Sequence, residues 1–334
     1  MRADYFIFTP QEIPDATVLE CLGDVGDGTG PSGAKRGDGQ HDATGELLHL
    51  SASVRAVDLT LQNDPDLDFA HLLEDLLSDQ ESLQLIEEKT RGQSGNPLWF
   101  KMRQGLVTAS IMKCVCTRHA TVSLKPDTDC SELVDHIVGK ERKDFDSAAL
   151  AWGRKKERKA RKHCCTVEKK KHVNFVLKER GLQISSKKTF LACSVDGLVS
   201  CSCDGHSQKL VEMKCPCALR QKSPKDAARQ RGCQQSISTG EWSLCETSEY
   251  YYQIQTQLFV YGLSQCDLVM YTLQGILVGP VKYSEEFAEN MVSKAEDFYR
   301  SQVVSVLLYG HTGSTVGQVS NRLGQITVCC SKLA

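Results

Sequence analysis

Two short segments limit what this chain can fold into more than any other feature. They are Cys193-Ser194-Val195-Asp196-Gly197 and Val211-Glu212-Met213-Lys214-Cys215-Pro216, with Glu212 sixteen positions after Asp196. The pattern reads as two short adjacent β-strands that carry an aspartate, a glutamate and a lysine to one point. Successive side chains on a strand take opposite faces, so Glu212 and Lys214 point one way while Met213 enters the core. Two carboxylate oxygens and a backbone carbonyl suit an octahedral Mg²⁺ that keeps several of its waters. A lysine beside them can orient one of those waters or help deprotonate it. That is the minimum equipment for metal-assisted phosphodiester hydrolysis. Taken alone, Glu-x-Lys is also a solvent-facing ion pair and Asp-Gly also a turn, so the remaining residues must decide.

Charge supplies part of the decision. Residues 1–90 hold 19 Asp/Glu against 5 Lys/Arg, leaving residues 91–334 with 23 acids and 35 bases, a balance of +12. A basic body favours a polyanionic partner, most simply nucleic acid; the plainer alternative is an acidic head balancing a basic body. Sixteen cysteines suggest a disulfide scaffold, but the N-terminus has no basic segment followed by an apolar run. No apolar stretch approaches the ~20 residues of a membrane span. The expectation is therefore an intracellular protein with reduced thiols, nuclear if eukaryotic. Zinc on Cys201, Cys203, His206, Cys215 and Cys217 is disfavoured. In a 190–199/209–215 hairpin, Cys215 would lie roughly 20 Å from the loop cysteines, at ~3.3 Å per residue.

Residues 22–46, with eight glycines, read as a linker, and 66–89 as an amphipathic helix on Leu67, Phe69, Leu72, Leu73, Leu76 and Leu77, packed on the main domain. Region 1–90 is expected to be largely disordered apart from that helix, with its acidic surface open to a protein partner. The ordered body begins near Asn96-Pro97, spans 91–310, and leaves a loose tail at 311–334. Thr108 is placed as the N-cap of a short helix, with further helices at 131–140 and 146–164. Strands follow at 189–199 and 209–215, then a mobile polar loop at 219–246 and a helix at 247–263. A hairpin over 267–282 turns at Gln274-Gly275, and Ser284 caps a last long helix. The architecture is α/β, a small mixed sheet flanked by helices.

The helix at 146–164 surrounds one acid, Glu157, with seven bases between Arg154 and Lys162. Gly153 and Ala160 keep its face small enough for close approach. Glu157 thereby becomes a third acid beside a metal, while its neighbours hold phosphates; a localisation patch or a plain charged face would look the same. On the 247–263 helix, Gln253 and Gln257 share a face at i,i+4, with Tyr250 one turn earlier and Ile254, Leu258 and Tyr261 opposite.

In this order the segments resemble the lambda-exonuclease/YqaJ viral recombinase family of PD-(D/E)XK nucleases, over about residues 97–309. Trp99-x-x-x-Arg103 with Thr108-Ala109-Ser110, Gly153-x-x-x-Glu157-x-x-Ala160, Ser194-Val195-Asp196-Gly197, Val211-Glu212-Met213-Lys214 and Tyr250-x-x-Gln253-x-Gln255 look like its motifs, and Phe298 falls on what looks like its closing helix. The resemblance implies a restriction-endonuclease-like mixed central sheet flanked by helices. It also implies an Mg²⁺-dependent DNA exonuclease acting from duplex ends, Mn²⁺ being able to substitute, in recombination, repair or mobile-element processing. By position, Asp196, Glu212 and the Met213 carbonyl would ligate metal, with Glu157 joining directly or through water. Lys214 would position the attacking water. Arg103 and Ser110 match positions that hold a terminal 5′-phosphate, implying 5′→3′ direction, and Gln253 and Gln255 would support the site. The family's ring-shaped trimer makes a homo-oligomer a further expectation. The alternatives are a catalytically silent DNA-end or single-strand binding module on the same fold, and a protein adaptor driven by the acidic head.

Overall fold

A computed structural model describes residues 7–8, 80–139, 147–203 and 208–309. The predicted linker at 22–46, the six apolar positions named for the 66–89 helix and the tail 311–334 lie outside the described residues.

The elements run β1 (Ile7–Phe8), α1 (Gln80–Lys89), α2 (Pro97–Met102), β2 (Val107–Thr108), α3 (Met112–Leu124), α4 (Ser131–Val138) and α5 (Ala148–Lys169). Four short strands follow, β3 (Val176–Lys178), β4 (Leu182–Ile184), β5 (Leu191–Ser194) and β6 (Gly197–Ser200), and then β7 (Lys209–Lys214). Next come α6 (Pro224–Gln230), β8 (Cys233–Gln235), β9 (Trp242–Leu244) and α7 (Glu249–Tyr261). The described chain closes with β10 (Gln265–Thr272), β11 (Gly275–Lys282), α8 (Glu285–Phe298), a π-helical turn at Tyr299–Val303 and α9 (Val304–Tyr309).

β7 and β10 form the centre because both are buried on both faces, which requires a layer of structure on each side. They pair parallel, with Glu212 opposite Leu268 and Lys214 opposite Met270. Antiparallel neighbours complete a six-stranded mixed sheet in the order β1-β11-β10-β7-β6-β3. On one face, Ala160, Cys164 and Val167 of α5 pack on Val211, Met213, Val269 and Tyr271. On the other, Ile254 and Leu258 of α7 pack on Leu210, Cys266 and Leu268. Outside α7, a separate cluster joins α3, α4 and α8 through Met112, Val115, Ile137, Met291 and Phe298. Every described cysteine is a free thiol, many of them buried in these clusters. No helix among the described residues is long and apolar enough to cross a membrane.

Several elements differ from the sequence expectation. The strand expected at 189–199 is two strands, β5 and β6, belonging to different sheets, because the chain breaks at Val195-Asp196. Residues 219–246 are not a mobile loop. Ser223 caps α6 by accepting from Asp226 N–H at 3.1 Å, and Ala227, Ala228 and Trp242 bury against Met270 and Leu277. The hairpin after β10 has Thr272 opposite Gly275, so its connection is Leu273-Gln274. Thr108 precedes a short 3₁₀ turn and the thirteen-residue α3 without a side-chain capping bond, since its hydroxyl is engaged elsewhere. A Cβ on Gly153 would meet nothing within 4 Å, so close approach along α5 rests on Ala160, which is fully buried. The packed body also starts ahead of Asn96: Leu83 and Ile86 of α1 pack against Leu182, Ile184 and Ala192.

Candidate active site

The break between β5 and β6 builds the site. Buried backbone carbonyls need donors wherever a strand ladder lapses. Here three successive carbonyls each meet a side chain from a different segment. Ser194 O accepts from Gln257 Nε2 at 3.3 Å, Val195 O from Gln93 Nε2 at 2.9 Å, and Asp196 O from a guanidinium nitrogen of Arg161. Gln93 holds φ at 44°, a left-handed conformation uncommon outside glycine, and also donates to Arg180 O at 3.1 Å. With the break fixed, the Asp196 side chain turns toward β7, and its Oδ2 accepts the Met213 N–H at 2.5 Å.

Glu212 is the hub on the neighbouring strand, 4% exposed. Its Oε1 accepts from Lys214 Nζ and Gln253 Nε2, and its Oε2 from Gln257 Nε2, each at 2.7 Å. Lys214 Nζ also donates to Gln253 Oε1 at 2.8 Å and lies 4.8 Å from the centre of the Tyr250 ring. The shared strand face of Glu212 and Lys214 and the shared helix face of Gln253 and Gln257 therefore meet.

The cluster holds more negative charge than its cations neutralise. Burial drives the Asp196 carboxyl well above the usual carboxylate range, and the charges of Glu212 and Glu157 push it further. Glu157 on α5 is raised by burial and by Glu212, although Arg161, 3.9 Å away, pulls the other way. Burial alone would lower the Lys214 ammonium, yet Glu212 and Asp196 outweigh it and its pKa rises. Lys214 is thus a fixed ammonium, suited to donate hydrogen bonds and stabilise charge rather than to take a proton.

The three carboxylates are not drawn into a tight cage. Among the described residues, only His172, Cys201 and Cys203 bring three donor atoms within 4.8 Å of one another. Glu157, with 39% of its side chain exposed, stands at the solvent side of the cluster, one helical turn before Arg161.

A second group lies next to the first. Arg103 stacks on Trp99 at 4.0 Å and donates to the Thr108 hydroxyl at 3.2 Å, which contacts the Ser110 hydroxyl at 3.2 Å. Trp99 Nε1 donates to Ser194 Oγ at 2.8 Å, tying this group to the strand that leads into Asp196. Burial lowers the Arg103 pKa, and no carboxylate among the described residues lies within ion-pair distance of it. A desolvated guanidinium without a carboxylate suits a bidentate anion.

The structure therefore gathers Glu157, Asp196, Glu212, Met213, Lys214 and Gln253 in one place, and Arg103 with Ser110 beside it. Gln255 does not reach the site. Two positions along a helix is more than half a turn, and its amide instead donates to Lys282 O at 2.8 Å and accepts from Ser284 N–H at 2.9 Å. Gln257 takes the place expected of it, and its i,i+4 relation to Gln253 was the available signal. Arg161 carries the same kind of signal, one turn beyond Glu157. Gln93, one hundred and sixty-four positions before Gln257, carries none.

Comparison with known proteins follows the same lines. Residues 98–264 match the YqaJ-like viral recombinase domain. An alkaline exonuclease from Laribacter hongkongensis is similar in structure at 20% identity, over 71% of this chain and 98% of that one, with a TM-score of 0.42. The shutoff and exonuclease protein of Kaposi's sarcoma-associated herpesvirus is similar at 11% identity, over 73% and 75%, with a TM-score of 0.41. A phage-related exonuclease from Haemophilus somnus is similar at 10% identity, over 62% and 99%, with a TM-score of 0.37. A comparison with curated proteins finds no match. The match over residues 98–264 spans half the chain and carries all the motifs from Trp99 to Gln253, on a mixed sheet flanked by helices: the chain belongs to the YqaJ-like viral recombinase domain family.

Proposed function

We propose that this protein is a metal-dependent exonuclease that hydrolyses DNA phosphodiester bonds from duplex ends in the 5′→3′ direction, serving recombination or repair. The observation that carries the reading is the meeting of Asp196, Glu212 and Lys214 at the broken strand, with Glu157 close enough to raise the Asp196 pKa. The donor set fits a hard divalent cation. Asp196 and Glu212 offer carboxylate oxygens beside the Met213 peptide, and the mutual repulsion of the crowded carboxylates is what such a cation relieves. Asp196, Glu212 and the Met213 carbonyl would hold Mg²⁺, or Mn²⁺ in its place, with Glu157 acting through water. Such an ion supplies Lewis acidity at the phosphate and acidifies water.

The chain's own residues account for the rest. Lys214 donates toward the attacking water and the developing phosphate charge. Glu157, with its raised proton affinity and exposed position, is suited to receive the water's proton. Gln253 and Gln257 hold Glu212 in one rotamer, with their amides bonded on both carboxylate oxygens. The exposed bases Arg154, Lys155, Arg158 and Lys159 on α5 face the solvent beside the site, where the phosphate backbone of a duplex would run.

Arg103 and Ser110 would bind the terminal 5′-phosphate. Charge-assisted hydrogen bonds of this kind contribute about 1.5–3 kcal/mol, or roughly 10–100-fold. The wild-type protein is therefore expected to digest 5′-phosphorylated ends faster than 5′-hydroxyl ends, and Arg103→Ala to lose that preference. Equal rates on both ends with the wild-type protein would remove the assignment of Arg103 and the direction derived from it.

A further inference from the structure

We propose that His172, Cys201 and Cys203 form a structural zinc site, separate from the carboxylate cluster, that ties the C-terminal end of α5 to the loop joining β6 and β7. Each sulfur lies 3.7 Å from His172 Nδ1, and all three donor atoms lie within 4.8 Å of one another. Tetrahedral bonds of about 2.3 Å to sulfur and about 2.0–2.1 Å to nitrogen place ligand atoms about 3.6–3.8 Å apart, so this spacing suits a metal between them. Two thiolates with one imidazole select zinc over magnesium, which prefers oxygen.

The surroundings are those of a ligand set. His172 Nε2 lies 3.3 Å from Glu168 Oε2, so the ring can donate its proton there and keep Nδ1 for the metal. A carboxylate behind a metal-binding histidine fixes both tautomer and ring orientation. Glu168 is itself buried and held by Lys171 at 2.8 Å, with Lys209 3.9 Å away. The Val173 N–H donates to Cys203 Sγ at 3.2 Å, which fixes where that sulfur sits. Asn174 takes φ 52° to reverse the chain, its amide donates to Ser202 Oγ at 3.2 Å, and Ser202 N–H donates to Val173 O at 2.8 Å. The two segments are thus already laced together around the three donors.

Of the other residues weighed for zinc in the sequence, Cys215 and Cys217 do not join this cluster, and His206 lies outside the described residues. His172 is 29 positions before Cys201, too far for spacing along the chain to connect them. A metal here would brace one end of the helix that carries Glu157 against the hairpin that carries Asp196 and Glu212.

The test is the metal content of the full chain, purified in reducing buffer without chelator. The wild-type protein and a Cys114→Ser control should hold about one zinc per chain, and the Cys201→Ser/Cys203→Ser double variant less than about a tenth of that. Because the double variant could lose metal by misfolding, the chelated wild-type protein is also titrated with cobalt. A thiolate-to-cobalt charge-transfer band saturating at one equivalent is expected. Chelation should also lower the thermal midpoint of the wild-type protein and leave that of the double variant unchanged. Zinc retained by the double variant, or a wild-type protein with neither zinc nor the cobalt band, overturns the site. None of these readouts depends on nuclease activity, so the result stands apart from the proposed function.

Discussion

Lys214→Ala is expected to lower kcat by about 10²–10³-fold, the usual cost of removing one preorganised donor from a site where charge develops. KM for a linear duplex should change little, because the phosphate contacts assigned to α5 and Arg103 remain. The ammonium is placed by two bonds, to Glu212 Oε1 at 2.7 Å and to Gln253 Oε1 at 2.8 Å, and both acceptors sit on rigid elements. If Lys214 served only to neutralise Glu212, its loss would appear as lower stability with kcat intact. Steady-state kinetics beside a denaturation curve separates the two. Since Glu212 and Asp196 raise the Lys214 pKa, its charge persists through neutral pH. Its stabilising contribution is complete below the ordinary lysine range and fades only as the pH climbs through its raised value.

Glu87→Ala is expected to destabilise the fold by about 3 kcal/mol, through a residue far from the chemistry in sequence. Glu87 is 1% exposed. It accepts from Arg91 Nη2 at 2.7 Å, from Arg91 Nε at 3.2 Å and from the Gly181 N–H at 2.7 Å, and Arg180 Nε lies 3.3 Å away. A Cβ at Gly181 would come within 2.0 Å of Glu87 O, so α1 and the start of β4 touch backbone to backbone. Burial alone would raise the Glu87 pKa, but the bonds from Arg91 and Gly181 and the charge of Arg180 outweigh it, and its pKa is lowered. The stabilisation is therefore present above the ordinary glutamate pKa of 4.5 and is lost as the pH falls through the lower folded value. Urea denaturation across that range should show the gap between wild type and Glu87→Ala narrowing toward acid. A gap that stays constant or widens would mean that the ion cluster is not what Glu87 supplies.

The sequence was most legible where chemistry concentrates on regular elements. Glu212 and Lys214 share a strand face, Gln253 and Gln257 a helix face, and each periodicity predicts its meeting correctly. The break at Val195-Asp196 was not legible. Leu191, Ala192, Cys193, Val195 and Val199 are all buried and read as one continuous apolar strand, while the donors that set the break come from Gln93, Arg161 and Gln257. β3 and β4, three residues each, are too short for an alternation to stand out. The order in 219–246 had a local signal, Ser223-Pro224 before Asp226, outweighed by the polar composition around it. The placement of Gln255 followed a motif position rather than its angle on the helix, and the angle decides.

The most direct measurement is release of label from an end-labelled linear duplex, with and without Mg²⁺, by the wild-type protein and by Asp196→Ala. Asp196 carries the central claim, since it is the half-buried carboxylate that the broken strand delivers to Glu212 and the Met213 peptide. The account predicts Mg²⁺-dependent release by the wild-type protein, abolished by chelator, and none above background from Asp196→Ala at equal folded concentration. Salt-sensitive duplex binding without any Mg²⁺-dependent product, or equal release by both proteins, would contradict it.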